Sequence, residues 1–451
     1  MMVLPFVIAT YVWRVQDLVS VLGAIKFPLL LGLGALAVFF ATNSGLRRLR
    51  ENDTPMARMV IGIAILIVIG VPFSLIRGGS LSFFLKDYLP TLLLAMMVAA
   101  GIRHGRDLEW LLRTTIIGAT LYCGYIFFRF HVGANGRLGG LVYYDANDVS
   151  LLIVCTLPLI VYFLRPGMRA WDRALAAGAF CLLILTLIKA GSRGGFLGLI
   201  AVMVALITWY RGIPRSHMML VIAGGFAILS LRGSDQYWAL MKTLLHPTED
   251  PNWTGGDMGE GRMAIWKRGM GYMAHHPFLG VGARAFPRAE GVLSDRGQAN
   301  LAGGAGFKWS AAHNSFVEIG AETGIFGLIL FTSLFVYTIR AMARLNRKRG
   351  PPGSPVGPRE AALAQTIAVA LIAFCVSGFF VSANYFAYPY VLLAFAAGLL
   401  KVTRVREAAA AQEVAGSAGP MDVGPVQPTP TRIPGMRGGA AIVQTVWRKQ
   451  A

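Results

Sequence analysis

The chain has 451 residues, 55% of them hydrophobic and only 14% charged, with a formal net charge of +20. Apolar runs of roughly 17–25 residues, long enough to cross a bilayer as helices, recur from end to end and exclude an ordinary soluble domain. The positive charge does not signal nucleic acid, because the basic residues sit in short connectors between apolar runs, where topology signals belong. Spanning helices satisfy their own backbone hydrogen bonds, which open sheets in lipid cannot do. The alternation of an outer-membrane barrel is missing. The expected fold class is therefore an all-α polytopic membrane protein.

In chain order the pattern predicts twelve spans, near 2–20, 22–42, 58–76, 83–101, 108–130, 148–164, 172–190, 194–210, 216–231, 314–340, 361–380 and 385–401. The first is interrupted by Arg14, Gln16 and Asp17. It lacks a basic leader and a small-residue cleavage site, so it reads as a retained helix and not a removed signal peptide. Alternate connectors carry Arg47, Arg48, Arg50 and Arg58, then Arg103 and Arg106, then Arg165, Arg169 and Arg173, then Arg211 and Arg215. Arg340, Arg344, Arg347, Lys348 and Arg349 continue the set, and Lys401, Arg404 and Arg406 open the tail. The positive-inside rule puts all of these in the cytoplasm if twelve helices have both termini inside. An eleven-helix version, with the first segment outside, keeps the same sidedness for the rest.

This divides the chain into about nine spans over 1–231, a large outer loop over 232–312, about three spans over 313–402 and a disordered cytoplasmic tail over 403–451. The tail is rich in Ala, Gly and Pro. The loop carries nine Lys/Arg and seven Asp/Glu, and also Trp238, Trp253, Trp266 and Trp309, which argue against disorder. Tryptophan faces suit stacking on sugar rings and interfacial anchoring equally. Cys123, Cys155, Cys181 and Cys375 all lie inside apolar runs without metal-ligand spacing, so neither disulfides nor a zinc site is expected.

Several polar residues on the outer side are candidates for chemistry. Arg193, in KAGSRGGFLG with Lys189 close by, falls in a short outer connector and defies the charge rule. It reads either as a snorkelling side chain or as an anion clamp, since a guanidinium fork matches phosphate oxygens. Gly194 and Gly195 would then allow close backbone approach. GRMAIWKRGMGYMAHHPFLGVGARAF, residues 261–286, fits an amphipathic helix with Arg262 and Trp266 on one face. Arg262 is the better second clamp, and Arg268 and Arg284 are weaker ones. His275 and His276 read as helix-end capping before Pro277. Asp145, Asn147 and Asp148 in YYDANDVS suit a helix start, with sugar orientation as the alternative role for Asp145 and Asn147.

HNSFVEIGAETGIFG, residues 313–327, sets His313 where the polar loop gives way to an apolar run. An imidazole titrates near neutrality and can take a proton at a membrane boundary. Its structural alternative is a histidine hydrogen-bonded at a helix start with Asn314 or Ser315 as cap. Glu318 and Glu322 follow in the same helix, either as polar pairs inside the bundle or as orienting groups. A proton-coupled transporter would need acidic groups at mid-membrane. The functional groups here sit at helix ends, which favours surface chemistry over transport.

SRGG, GR…W…HPFLGVGARAF and HNSFVEIGAETGIFG, in this order and at these topological positions, resemble the O-antigen ligase and polymerase superfamily. That superfamily includes lipopolysaccharide O-antigen ligases and bacterial protein O-oligosaccharyltransferases. The resemblance implies a metal-independent, cofactor-free, inverting glycosyltransferase of GT-C type in the bacterial inner membrane, with its site facing the periplasm. It implies a glycan donor on undecaprenyl diphosphate, Arg193 and Arg262 as diphosphate-binding residues and His313 as general base. Lys189, Arg268, Arg284, Asp145, Asn147, Asn314 and Glu318 are secondary candidates. The expected partners are the lipid-linked donor, membrane lipids and an acceptor, with lipid A–core first. Glycan polymerisation and transfer to a protein hydroxyl are alternatives, and a transporter of polyprenyl-linked glycans is an alternative of another class.

Overall fold

A computed structural model describes residues 3–14, 16, 21–22, 27–41, 53–133, 136–141, 143–246, 250–254, 261–304 and 310–417. Asp17, Arg47, Arg48, Arg50, Trp309 and the tail beyond Ser417 lie outside the described residues. The N-terminal helices are α1 (Leu4–Tyr11), α2 (Phe27–Ala41), α3 (Pro55–Gly70), α4 (Arg77–Phe83) and α5 (Leu89–Gly101). They are followed by α6 (Gly105–Arg129), α7 (Ala146–Phe163), α8 (Ala170–Ala190), α9 (Arg193–Thr208) and α10 (Arg215–Arg232). The outer-loop helices are α11 (Asp235–Lys242), α12 (Pro251–Thr254), α13 (Arg262–His275), α14 (Phe286–Val292) and α15 (Asp295–Ala302). The last three are α16 (Ser315–Arg347), α17 (Pro358–Gly378) and α18 (Ala387–Ser417).

Among the described residues, eight helical segments are long and apolar enough to cross a membrane, or nine if α10 and α11, bent by 113°, count as one broken span. Helices α2 and α9 are apolar but shorter, at 15 and 16 residues. The all-α polytopic class holds. The expected span over 2–20 does not form as one helix: α1 has 8 residues, about 12 Å of rise against a hydrocarbon core of about 30 Å. The chain turns away after Tyr11 because Trp13 packs between Tyr122 and Tyr388, with ring centroids 6.3 and 5.4 Å away. Arg14 then adopts φ 46° and lays its guanidinium over the Tyr143 ring at 3.5 Å.

Helix α7 is the centre of the bundle. Every residue in it except Asp148 is buried, as expected of a helix that is apolar all round. It packs against α6, α8, α9 and α17, and α17 packs in turn against α16. Helix α16 also carries α13 from the outer loop, so the loop is bound to the bundle beside the His313 end of α16. The body extends through Glu407, and a second unit begins at Ala408. Helix α18 continues to Ser417, which corrects the tail expected from 403. The run EAAAAQE is made of strong helix formers, and its local propensity outweighs the tail-like composition that follows.

The second half of HNSFVEIGAETGIFG is explained by a break in α16. Gly324 sits at φ 74°, ψ −173°, inside the helix. The carbonyls of Ala321 and Glu322, freed by the break, accept from Val281 and Gly282 N–H at 2.8 and 3.0 Å. Ile325 N–H donates to the Pro277 carbonyl at 2.8 Å. HPFLGVG thus replaces the missing intrahelical bonds, the condition for a broken helix at membrane depth. A Cβ at Gly324 would lie 2.4 Å from the Pro277 oxygen, and one at Gly280 would lie 2.3 Å from the Glu322 carbonyl carbon.

Candidate functional site

Arg193 opens α9. Helix α8 ends at Gly191, left-handed at φ 61°, and Ser192 caps α9 by accepting from Gly195 N–H at 3.1 Å. The guanidinium donates from Nη1 to Thr243 Oγ1 at 2.9 Å and to the Asp250 carboxylate. Both partners come from the outer loop. Gly194 and Gly195 do allow close approach, but to the protein itself: a Cβ there would lie 2.8 Å from Phe380 Cβ and 2.5 Å from Ser150 Cβ. Lys189 turns away from Arg193, donating to the Phe127 carbonyl at 2.5 Å.

Arg262 is the first residue of α13, and Trp266, one turn on, shares its buried face as the i,i+4 spacing predicted. Arg262 Nη1 approaches the Phe380 carbonyl at 3.4 Å. Burial, and then the charges of Arg193 and Arg137, hold its pKa down at about 10, with Asp145 opposing them. It stays charged at neutral pH, crowded by like charges. Trp266 Nε1 donates to the Ala312 carbonyl at 2.9 Å. Trp266 stands edge-on to Trp253, with ring centroids 5.2 Å apart, and to Phe379, also at 5.2 Å. These rings make the aromatic wall beside the arginines.

His313 has φ 48°, which costs a residue with a side chain on the order of 1–2 kcal/mol. The conformation is held from both sides. Its N–H donates to Ser382 Oγ at 3.0 Å, and Ser315 bridges the Val381 carbonyl at 2.6 Å and Ala383 N–H at 2.9 Å. Arg262 and His313 therefore both dock on the connector between α17 and α18. Burial first, then Arg262, lower the pKa of His313 below 6.5; Asp145 pulls the other way and Arg137 adds to the lowering. The imidazole is thus neutral at pH 7 and able to accept a proton. Asn314 caps α16, accepting from Phe316 and Val317 N–H at 2.9 and 3.1 Å. Its buried Nδ2 and one oxygen of buried Glu318 have no hydrogen-bond partner among the described residues. Glu322 is a structural pair, accepting from Phe286 N–H and from Tyr385 OH at 3.0 and 2.9 Å.

Asp145 caps α7 through Asn147 and Asp148 N–H, as predicted, and its charge also bears on Arg262 and His313. Asn147 Oδ1 accepts from Ser192 Oγ at 2.9 Å, tying α7 to the Arg193 connector. Arg268 is diverted from the cluster: buried Glu290 accepts from its Nε at 3.0 Å and its Nη2 at 2.6 Å, and from Tyr272 OH at 2.8 Å. Arg284 is exposed, at φ 60°, with its guanidinium 5.7 Å from the Phe83 ring centroid. His275 Nδ1 lies 2.8 Å from the Gly271 carbonyl, the capping role predicted for it.

A cavity of about 170 Å³ lies between these elements, lined by Arg193, Gly194, Leu197, Thr243, Leu244, Asp250, Trp253, Arg262 and Phe380. It has room for about five waters or one compact anion. A larger apolar cavity of about 240 Å³ lies between α3, α5 and α18. Its charged lining residues, Asp53 and Arg58, pair with each other at 2.6 Å. Charge and aromatic faces distinguish the smaller cavity as the candidate site.

Arg137, Thr243, Asp250 and Ser382 escaped the sequence reading. The signal for Arg137 was available: like Arg193, it is a basic residue on an expected outer connector. Thr243 and Asp250 carry no local signal, since their partner lies 50 and 57 positions away.

The O-antigen ligase family model matches residues 178–332. The matched segment holds Arg193, Arg262 and His313 and excludes Arg137, Asp145 and Asn147. No curated protein matches the chain. Among solved structures, it is similar to a chain from "Structural coordination of polymerization and crosslinking by a peptidoglycan synthase complex". Identity to it is 17% with a TM-score of 0.41, covering 78% of this chain and 97% of that one. Over residues 178–332 this multi-pass all-α membrane protein is similar to the O-antigen ligase family.

Proposed function

We propose that this protein is an inverting glycosyltransferase of GT-C type on the periplasmic face of the bacterial inner membrane. It moves a glycan from undecaprenyl diphosphate to an acceptor hydroxyl of lipid A–core. The observation that carries this reading is the convergence of Arg193, Arg262 and a neutral His313 at one end of the bundle. Arg193 and Arg262 line one cavity, and Arg262 and His313 dock on one connector.

In this mechanism the guanidinium forks hold the diphosphate oxygens and stabilise the charge that grows on the leaving group. Neutral His313 takes the proton of the acceptor hydroxyl as its oxygen attacks the anomeric carbon. The bond from that carbon to the diphosphate oxygen breaks on the opposite side, so the anomeric configuration inverts and undecaprenyl diphosphate leaves. The arginines supply the charge compensation that a divalent metal would otherwise bring. Asp145 limits the repulsion around Arg262 and His313, while Ser382 fixes the His313 backbone.

The test is transfer by purified protein from a defined undecaprenyl diphosphate glycan, offered lipid A–core, free repeat units or a protein. Glycosylated lipid A–core is the expected product. His313→Ala is expected to lose about 10²–10⁴-fold in kcat while keeping its Tm. Full activity of H313A, or of R193A combined with R262A, would sink the mechanism. Chain extension or protein glycosylation in place of ligation would reassign the acceptor. Activity lost in chelator and restored only by a divalent cation would remove the metal-free claim.

A further inference from the structure

We propose that the cavity between α3, α5 and α18 seats one acyl chain of an anionic phospholipid, with the lipid phosphate replacing Asp53 on Arg58. The site lies at the end of the bundle away from His313 and is independent of the donor reading above.

The cavity has a charged end and an apolar end. Arg58 stands in the first turn of α3, where the helix dipole favours an anion. Ala99 lines the cavity just before α5 ends, and Ala397 lines it one turn before Lys401 on α18. Lys401 is buried there and donates to the Ala99 and Ala100 carbonyls, at 2.9 Å each. A second positive charge thus lies at the same end, and Asp53 is the carboxylate lining it. Tyr390 closes the other end. Its hydroxyl donates to the Asn384 carbonyl at 3.0 Å and lies 3.1 Å from Tyr88 OH, so it brings a satisfied hydroxyl and an apolar ring. Val60, Leu92 and Leu393 line the space between. Ile61 and Met96, on α3 and α5, are exposed at its rim and open it toward the bilayer.

Size and charge choose the occupant. The volume of about 240 Å³ takes about eight methylene-sized groups of about 30 Å³ each. That is about half of one long acyl chain and far less than an undecaprenyl tail. Left empty, the apolar walls forfeit their dispersion contacts, and they offer water too few polar partners to hold it. A chain end fills the cavity and sets its phosphate at Arg58. The Asp53 carboxylate accepts from Arg58 Nε and Nη2 at 2.8 and 2.6 Å. With side chains 69% and 57% exposed, that pair contributes little and is readily exchanged. A phosphate presents the same guanidinium fork with matching oxygens. The basic connectors that the charge rule puts in the cytoplasm lie at this end. The lipid therefore belongs to the cytoplasmic leaflet, where anionic headgroups gather.

The experiment is native mass spectrometry of the full-length protein released from nanodiscs of equal dioleoyl phosphatidylglycerol and dioleoyl phosphatidylcholine. Wild type is expected to retain one lipid, with phosphatidylglycerol favoured about tenfold. Arg58→Gln removes the charge and brings that ratio toward one. Arg58→Lys keeps part of the preference, because a point charge replaces the fork. Asp53→Asn removes the competing carboxylate and raises the ratio. Ala95→Phe fills the cavity and abolishes retention of either lipid. Tm is recorded for each variant; if A95F unfolds, the exposed Arg58 and Asp53 variants carry the test. A ratio unchanged in R58Q, or not raised in D53N, overturns the headgroup contact. Retention unchanged in folded A95F overturns the chain site. Displacement of the retained lipid by undecaprenyl phosphate assigns the cavity to a polyprenyl tail, and a lipid-free dimer assigns it to a second copy; either result overturns the proposal.

Discussion

Asp250 offers the sharpest perturbation of this site. Its carboxylate pairs with Arg193, with side-chain exposures of 7% for Asp250 and 18% for Arg193. If Arg193 binds phosphate, Asp250 is its competitor and must yield. Asp250→Asn keeps the shape and one acceptor oxygen but removes the charge. A hydrogen bond with a charged partner contributes about 1.5–3 kcal/mol, and loss of the second charge moves the Arg193 contact from the upper to the lower end of that range. The substitution therefore lowers the cost of freeing Arg193 by about 1.4 kcal/mol, about tenfold in donor affinity. The apo protein loses stability, because Arg193 remains largely buried with a weaker partner. Ligand must then raise the Tm of D250N more than that of wild type. The assay is a thermal-shift titration with farnesyl diphosphate at about 0.05 M and about 0.5 M salt. High salt suppresses the long-range gain from deleting a negative charge, which isolates the contact. A D250N protein with equal or weaker affinity at high salt would refute displacement and make Asp250 part of the donor-bound site.

Other outcomes follow from the same geometry. Since His313 must be neutral to act as base, the rate falls as pH drops through its lowered pKa, on a limb below 6.5. Arg262→Gln removes a repelling charge, so that limb moves to higher pH in the kcat profile; an unmoved or more acidic limb would contradict the assignment. Glu290→Gln breaks the Arg268–Glu290–Tyr272 cluster. It is expected to cost about 2 kcal/mol, moderated because Arg268 is 29% exposed. The variant's Tm drops while farnesyl diphosphate affinity stays at wild type; lost affinity with intact Tm would return Arg268 to the donor site. Gly324→Ala forces a Cβ against the Pro277 carbonyl in a backbone region reserved for glycine. Its cost is on the order of 3 kcal/mol or more, read as a large Tm loss or a failure to recover monodisperse protein.

The chain's own pattern determined the helical membrane class, the places of most spans and the candidate motifs around Arg193, Arg262 and His313. These are local properties: hydropathy over about twenty residues, a histidine at a polar-to-apolar boundary, an arginine in an outer connector. The tertiary structure decided which cations share a site. Arg268 resembled Arg262 in sequence, yet Glu290 and Tyr272, 22 and 4 positions on, claim it. Lys189 stood beside Arg193, yet a helix end at Gly191 turns it toward Phe127. Asp250 joined the site through its contact with Arg193, 57 positions away. The glycines of SRGG, expected to face a ligand, proved to face Phe380 and Ser150, while Gly280 and Gly324 let HPFLGVG replace the hydrogen bonds of a broken helix. Burial of apolar area is additive along a chain and can be read from it. The pairing of a charge depends on which distant group reaches it at about 3 Å, and only the folded chain supplies that distance.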